Sequence, residues 1–133
     1  MFLSILILVT LVLLLLLLSM VWPPDSPWSP WWRTSGKIAR IQCKLAKVGK
    51  NDVVFDLGSG DGTALTIAAK EFGARGTGVE IDPLRVFVSQ VMLKVNGVSD
   101  RVHIVRKNFF EVDVSDATVV IMYLIPKTLN KLK

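Results

Sequence analysis

A chain of 133 residues, 51% of them hydrophobic and with a net charge of +5, has room for one domain and little more. One cysteine, Cys43, excludes a disulfide framework and a cysteine-rich metal site, and one histidine, His103, excludes most histidine-based metal centres. The basic residues form no Arg/Lys cluster interleaved with aromatics, which argues against a nucleic-acid partner.

Residues Met1 to Trp22 contain no charged side chain, and Leu11 to Leu18 is unbroken leucine apart from Val12. About 20 apolar residues suffice to cross a bilayer as a helix. Each central Leu or Ile favours insertion by roughly 0.3–0.6 kcal/mol. A cleaved signal peptide would need a basic start, a shorter apolar core and a small-residue cleavage site. The run instead ends Ser19-Met20-Val21-Trp22-Pro23-Pro24. Residues 1–22 are therefore expected to be a retained transmembrane anchor. No Lys or Arg precedes it, and Arg33, Lys37, Arg40, Lys44 and Lys47 follow. Positive charge stays on the cytoplasmic side, so a single-pass protein with its C-terminal domain facing the cytoplasm is expected. From Arg33 on there are 16 basic against 10 acidic residues, all the acids but Asp25. That surplus suits solubility and attraction to an anionic inner leaflet.

Residues 22–32 read WPPDSPWSPWW, with four prolines and four tryptophans. No helix interior tolerates that proline density, and tryptophan favours the membrane–water interface. A stiff interfacial linker over 23–34 is expected; in a variant of that reading Trp28, Trp31 and Trp32 help to form a substrate mouth. Ser35 can cap a helix. Ile38, Ile41, Leu45 and Val48 recur at helical spacing, predicting an amphipathic helix that packs through them and ends at Gly49. Cys43 falls inside it as a small buried thiol.

Val53-Val54-Phe55-Asp56-Leu57-Gly58-Ser59-Gly60-Asp61-Gly62 organises the rest. A β-branched and aromatic run reads as a buried strand. The glycines permit a tight turn and close approach of a ligand to the backbone. A helix follows, with Leu65, Ile67, Ala68, Ala69 and Phe72 apolar and Gly73 as its stop. Thr77 to Asp82 reads as a second strand ending in acids. Pro83 opens a helix that runs to Asn96 and stops at Gly97. Arg101 to Arg106 is a third strand with His103 in mid-strand, read as structural. Asn108-Phe109-Phe110 is a loop, Thr118 to Leu124 a fourth strand, and Pro126 starts another helix. Strands alternating with helices predict an α/β fold with a parallel, Rossmann-like sheet. Ligands of such sheets bind outside the carboxyl ends of the strands.

A dinucleotide site wants G-x-G-x-x-G. Here the third glycine, Gly62, comes one place early, and Thr63 stands where it should be. Asp56 and Asp61 flank the turn and would repel a pyrophosphate, by a few kcal/mol near contact even at an effective dielectric of about 20. The same acids suit a cation. S-adenosylmethionine carries a sulfonium and an ammonium and no phosphate. Asp56 can face the ammonium. The turn can carry the methionine part, whose carboxylate can take N–H groups at the helix start. Glu80, 22 residues after Gly58, can accept both ribose hydroxyls. Asn108 can reach the adenine edge, with Ile81 and Phe109 sandwiching the ring. No side chain reads as a clear general base.

The run D-L-G-S-G-D-G, then G-V-E-I-D, then N-F-F resembles the class I S-adenosylmethionine-dependent methyltransferases, over Asp52 to Leu124. The resemblance implies cofactor contacts at Asp56, Gly58, Gly60, Glu80 and Asn108, with Leu57, Ser59, Gly62, Ile81 and Phe109 beside them. Many relatives carry Asp where Asn108 stands. A narrower likeness rests on the apolar N-terminus, the aromatic–proline linker, G-V-S-D-R-V, N-F-F-E-V-D and Y-L-I-P. These look similar to the small membrane-anchored protein lysine methyltransferases, whose mitochondrial members modify the ATP synthase c subunit or the adenine nucleotide translocase. That likeness implies a protein lysine as acceptor, with Tyr123 and Pro126 lining its pocket. Methylation of a membrane-borne quinone or lipid is the same-class alternative, and a non-catalytic cofactor-binding fragment the other. Class I enzymes have seven strands. Four are read here, and the chain stops within Lys127 to Lys133, so a truncation after the fourth strand is expected within the domain that starts at residue 35.

Overall fold

The computed structural model describes residues 1–21, 33–124 and 130. In chain order these form α1 (Phe2–Val21), α2 (Gly36–Leu45), β1 (Val53–Leu57), α3 (Thr63–Phe72), β2 (Arg75–Glu80), α4 (Pro83–Val95), β3 (Val102–Arg106), a short 3-10 turn (Phe109–Glu111) and β4 (Val119–Met122). Residues 23–32 of the linker expected over 23–34, and the helix expected from Pro126, lie outside the described residues.

The helix backbone of α1 runs 20 residues without a charge, and its large apolar side chains are exposed from Met1 to Leu18. Among the described residues no helix is long and apolar enough to cross a membrane. The transmembrane span expected over 1–22 is thus not found among the described residues.

The four strands form one parallel sheet in the order β3-β2-β1-β4. β1 lies inside it, paired on both edges, and Val54 to Leu57 are all buried. β4 is held at its start by a polar stitch. The Thr118 hydroxyl donates to Asp52 at 2.7 Å and accepts the Val53 N–H at 2.9 Å. β4 has β1 on one side and no partner on the other among the described residues. Its pairing covers Val119 to Met122, shorter than the expected 118–124, and Val120 and Met122 remain exposed.

α3 and α4 pack on the sheet, and α2 packs on α3. The apolar positions expected of α3 are buried, with Phe72 half-buried against the core. β2 meets α3 through glycine. A Cβ at Gly78 would stand 2.6 Å from Ile104 and 2.7 Å from the Ser59 hydroxyl, and one at Gly76 would stand 2.7 Å from Leu65. Absent side chains thus let α3 sit close to the sheet, which fixes the turn before it. β2 ends at Glu80; Asp82, expected in the strand, instead caps α4 by accepting the Arg85 N–H at 2.8 Å.

α2 corrects the periodicity reading. Ser35 caps it as expected, accepting the Ile38 N–H at 3.3 Å. The packing face is another one: Ala39 and Cys43 are fully buried, while Ile38, Ile41 and Leu45 are 38%, 48% and 79% exposed; Val48 is buried as expected, but beyond the end of the helix. Ala39 packs with Ala64 and Ile67 of α3, and two helices come this close only through small side chains. The larger residues are left outside. Gly49 does not end the helix either. Lys47 does, at φ 53°, with the Val48 N–H returning to the Cys43 carbonyl at 2.9 Å.

Candidate functional site

At the carboxyl end of β1 the chain turns at Gly58, Gly60 and Gly62, with φ of 84°, 56° and 78°. L-residues avoid this region, so the glycine spacing is a backbone requirement. The Gly58 and Ser59 N–H groups both donate to the Val79 carbonyl, at 2.9 and 3.0 Å. The turn thereby folds over the end of β2.

Glu80 completes that join. Its Oε2 accepts the Gly60 N–H at 3.0 Å, and its Oε1 accepts the N–H groups of Ile81 and Asp82, each at 2.9 Å. One carboxylate, buried with its residue 4% exposed, thus ties the glycine turn to the start of α4. A carboxylate has about four lone-pair sites, so three backbone bonds leave acceptor capacity for a ligand.

Asp56 sits beneath the turn, 6% exposed. Burial first, then the negative charges of Glu80 and Asp61, push its carboxyl up to about 7. Three acids converge there, and their mutual repulsion is relieved by a cation rather than by a phosphate.

Asp61 has a second duty that the sequence reading did not assign. Its Oδ1 accepts the Thr63 N–H at 3.2 Å and the Thr63 hydroxyl at 2.7 Å, opening α3. Its Oδ2 pairs with Arg33 Nε at 2.7 Å. The residues just before α2 are thereby drawn over the turn, and Thr34 joins Asp56, Ser59, Gly60 and Tyr123 around one small hollow. Arg33 and Thr34 were missed because they precede the first strand by some 20 positions, and neither belongs to a motif. The Ser59 hydroxyl is buried here without a hydrogen-bond partner among the described residues.

A second, open hollow lies at the ends of β2 and β3, lined by Ile81, Arg106, Lys107 and Asn108. Asn108 Oδ1 accepts the Phe110 N–H at 3.1 Å, which starts the 3-10 turn and fixes the side chain. Phe109 is half-buried, its ring 4.7 Å from that of Phe110.

The structure thus brings together most of the expected site residues. Asp56, Gly58, Ser59, Gly60 and Tyr123 share the first hollow, Ile81 and Asn108 the second, and Glu80 joins the two loops. Leu57 is a core side chain, 5% exposed. Gly62 serves packing, since a Cβ there would meet Ser89 of α4 at 3.3 Å. Pro126 lies outside the described residues. His103 is exposed on β3 and lines neither hollow. No group of metal-ligating side chains occurs among the described residues.

Comparison with known proteins adds an independent line. The family model described as the ANTKMT methyltransferase domain matches residues 56–133. A protein-lysine N-methyltransferase of Saccharolobus islandicus (strain REY15A) is 42% identical over 115 residues, which is 86% of this chain and 70% of that protein. The crystal structure of an RNA methyltransferase from Salinibacter ruber in complex with S-adenosyl-L-homocysteine is similar at a TM-score of 0.75 and 42% identity, covering 76% of this chain and 66% of that one. A SAM-dependent methyltransferase from Geobacter sulfurreducens, also with S-adenosyl-L-homocysteine, is similar at a TM-score of 0.60 and 28% identity, covering 67% of this chain and 36% of that one. The chain therefore spans about two thirds or less of these solved relatives.

Proposed function

Because the chain belongs to the methyltransferase family of the ANTKMT methyltransferase domain and its cofactor is S-adenosylmethionine, we propose that it methylates a lysine of a protein substrate at a membrane surface. The observation that carries the cofactor side is the buried Asp56 among Glu80 and Asp61, a cradle built for a cation. The observation that supports the acceptor is the 42% identical relative named as a protein-lysine N-methyltransferase.

The residues fit the cofactor. Ser59 offers a buried hydroxyl without a partner among the described residues, and Gly58 leaves the backbone open where a side chain would meet Leu124 at 3.4 Å. In this reading Asp56 holds the ammonium, and Glu80 uses its remaining lone pairs on the ribose hydroxyls. Ile81, Asn108 and Phe109 receive the adenine. The backbone of Gly58 and Gly60 lies along the methionine part. When bound, S-adenosylmethionine supplies a methyl carbon already activated by its sulfonium. The chain's task is then to place an acceptor in line with that carbon, and positioning of this kind supplies most of the rate. Tyr123, at the rim of the same hollow, would flank the acceptor. A lysine must arrive unprotonated, from a reference pKa near 10.4, and desolvation against aromatic and apolar walls lowers that value.

The membrane part of the proposal rests on α1, an uncharged 20-residue helix, and on the basic residues that follow it. Their one-sided placement supports a single-pass anchor with the domain facing the cytoplasm. A second reading, methylation of RNA, is suggested by the similar structure from Salinibacter ruber, an RNA methyltransferase.

One experiment separates the two. The full chain, reconstituted in lipid vesicles, is incubated with methyl-labelled S-adenosylmethionine and a membrane lysate. Label that survives ribonuclease, is released by protease and maps to a lysine supports the proposal. Label removed by ribonuclease, or extracted with lipid, overturns it.

A further inference from the structure

Helix α2 presents an apolar stripe to the outside. At 3.6 residues per turn, Ile38, Ile41 and Leu45 fall on one face, roughly opposite the Ala39 and Cys43 side that packs on the core. These are large side chains left uncovered among the described residues, on a helix held in place by its other face. Arg40 is turned towards α3, where it forms a bidentate pair with Glu71 at 2.7–3.0 Å, and the full burial of Ala39 and Cys43 keeps that side, not the stripe, facing inward.

Two further features say what covers the stripe. The first is charge: residues 36–51 contain Lys37, Arg40, Lys44, Lys47 and Lys50 and no acid. By the same helical geometry Lys37 and Lys44 flank the stripe along one side. Long lysine stems beside an apolar strip can lie along it and lift their ammonium groups to a headgroup layer. The second is connection. Only residues 22–35 separate the end of α1 from the start of α2, a tether of at most about 50 Å when fully extended, and four of those residues are tryptophan.

We infer that α2 is an interfacial helix that seats the methyltransferase domain on an anionic bilayer, with Ile38, Ile41 and Leu45 entering the headgroup–acyl boundary and Lys37 and Lys44 on the phosphates. The inference rests on the membrane reading above and deepens it. α1 alone would tether the domain, whereas α2 fixes which way it faces. Because α2 packs through Ala39 on Ala64 and Ile67 of α3, the helix that starts at the glycine turn, the orientation of α2 is the orientation of the cofactor cradle. An apolar face flanked by lysines is the pattern that lies in the membrane plane, and each lysine near an anionic surface strengthens binding about fivefold.

The test uses the full chain carrying Ile41→Cys or Leu45→Cys, each labelled with an environment-sensitive fluorophore. Both positions are exposed, whereas Cys43 is buried and stays unlabelled. The chain is reconstituted into phosphatidylcholine vesicles with and without phosphatidylglycerol. The expected result is quenching at both positions by headgroup-level nitroxide lipid, little quenching by aqueous iodide, and dependence on the anionic lipid. Lys37→Gln together with Lys44→Gln should lower the ratio of seated to unseated domain roughly 25-fold. A chain that floats with vesicles while both labels remain open to iodide overturns the seat and leaves the membrane reading standing. Labels shielded from both quenchers mean a protein cover and overturn it too. A chain that does not float overturns both.

Discussion

Replacing Asp56 with Asn should make the empty protein more stable and a poorer binder at once. The Asp56 carboxyl titrates at about 7 in the fold against an ordinary 3.8. Its folded value is the higher one, so the folded state holds a proton that the unfolded chain has released. The stabilising contribution of that proton is fully present below 3.8. It declines as pH rises through the window and is gone above about 7. The gap of roughly three units, at about 1.4 kcal/mol each, sets a ceiling of about 4 kcal/mol. Asn is neutral throughout and lacks this slope. The stability difference between Asp56→Asn and the native chain should therefore grow in favour of the variant by up to about 4 kcal/mol between about pH 4 and pH 8. Chemical denaturation of the full chain across that range measures it. In the same variant, calorimetry should show S-adenosylmethionine affinity lower by roughly 10- to 150-fold, the worth of one hydrogen bond to a charged group. A pH-independent difference in stability would refute the placement of a strained carboxylate in this cradle, and unchanged affinity would remove Asp56 from the ammonium.

Four further outcomes are expected. Glu80→Ala should weaken cofactor binding by about 2 kcal/mol, some 30-fold, and should also lower the melting temperature, because three backbone N–H groups lose their acceptor; unchanged affinity by calorimetry removes Glu80 from the ribose. Gly78→Ala should destabilise by about 1–3 kcal/mol through overpacking against Ile104, Ser59 and Leu65, and a neutral result in denaturation would mean that α3 lies farther from the sheet. Cys43, fully buried with its thiol pushed up chiefly by burial, should react with iodoacetamide only on unfolding; mass spectrometry of the native chain showing prompt alkylation would contradict its packing. Arg33→Ala removes an ion pair whose arginine side is 61% exposed, so stability should change by less than about 1 kcal/mol, and a larger loss in thermal melts would show that the segment over the turn is held by that pair.

The order of elements was legible because each carries its own punctuation. Val53 to Leu57 could only be a buried strand, Pro83 could only open α4, and Gly73 and Gly97 mark ends where φ is positive. The cradle was legible for the same reason, since acids and glycines at fixed spacing are demanded by backbone and charge. The face of α2 was not. Counting large apolar residues picks Ile38, Ile41 and Leu45, whereas the approach of α3 selects Ala39 and Cys43, and that distance is a tertiary quantity. Lys47 ending a helix in the left-handed region was hidden likewise, because Gly49 nearby is the cheaper candidate. The roles of Arg33 and Asp61 needed the fold, which alone brings a residue before β1 onto the turn after it. Asn108 was placed at the correct strand end, but its cap on the Phe110 N–H depends on a 3-10 turn too short to announce itself.

The single carboxylate of Glu80 has a consequence for how the protein comes apart. It binds the tip of one loop at Gly60 and the root of another at Ile81 and Asp82. Neither loop can open while that knot holds, so these hydrogens should be among the slowest to exchange with solvent. The knot in turn depends on β1 and β2 lying side by side. The cradle should therefore open together with the end of the sheet rather than before it, and a ligand that binds it stabilises the folded domain by mass action.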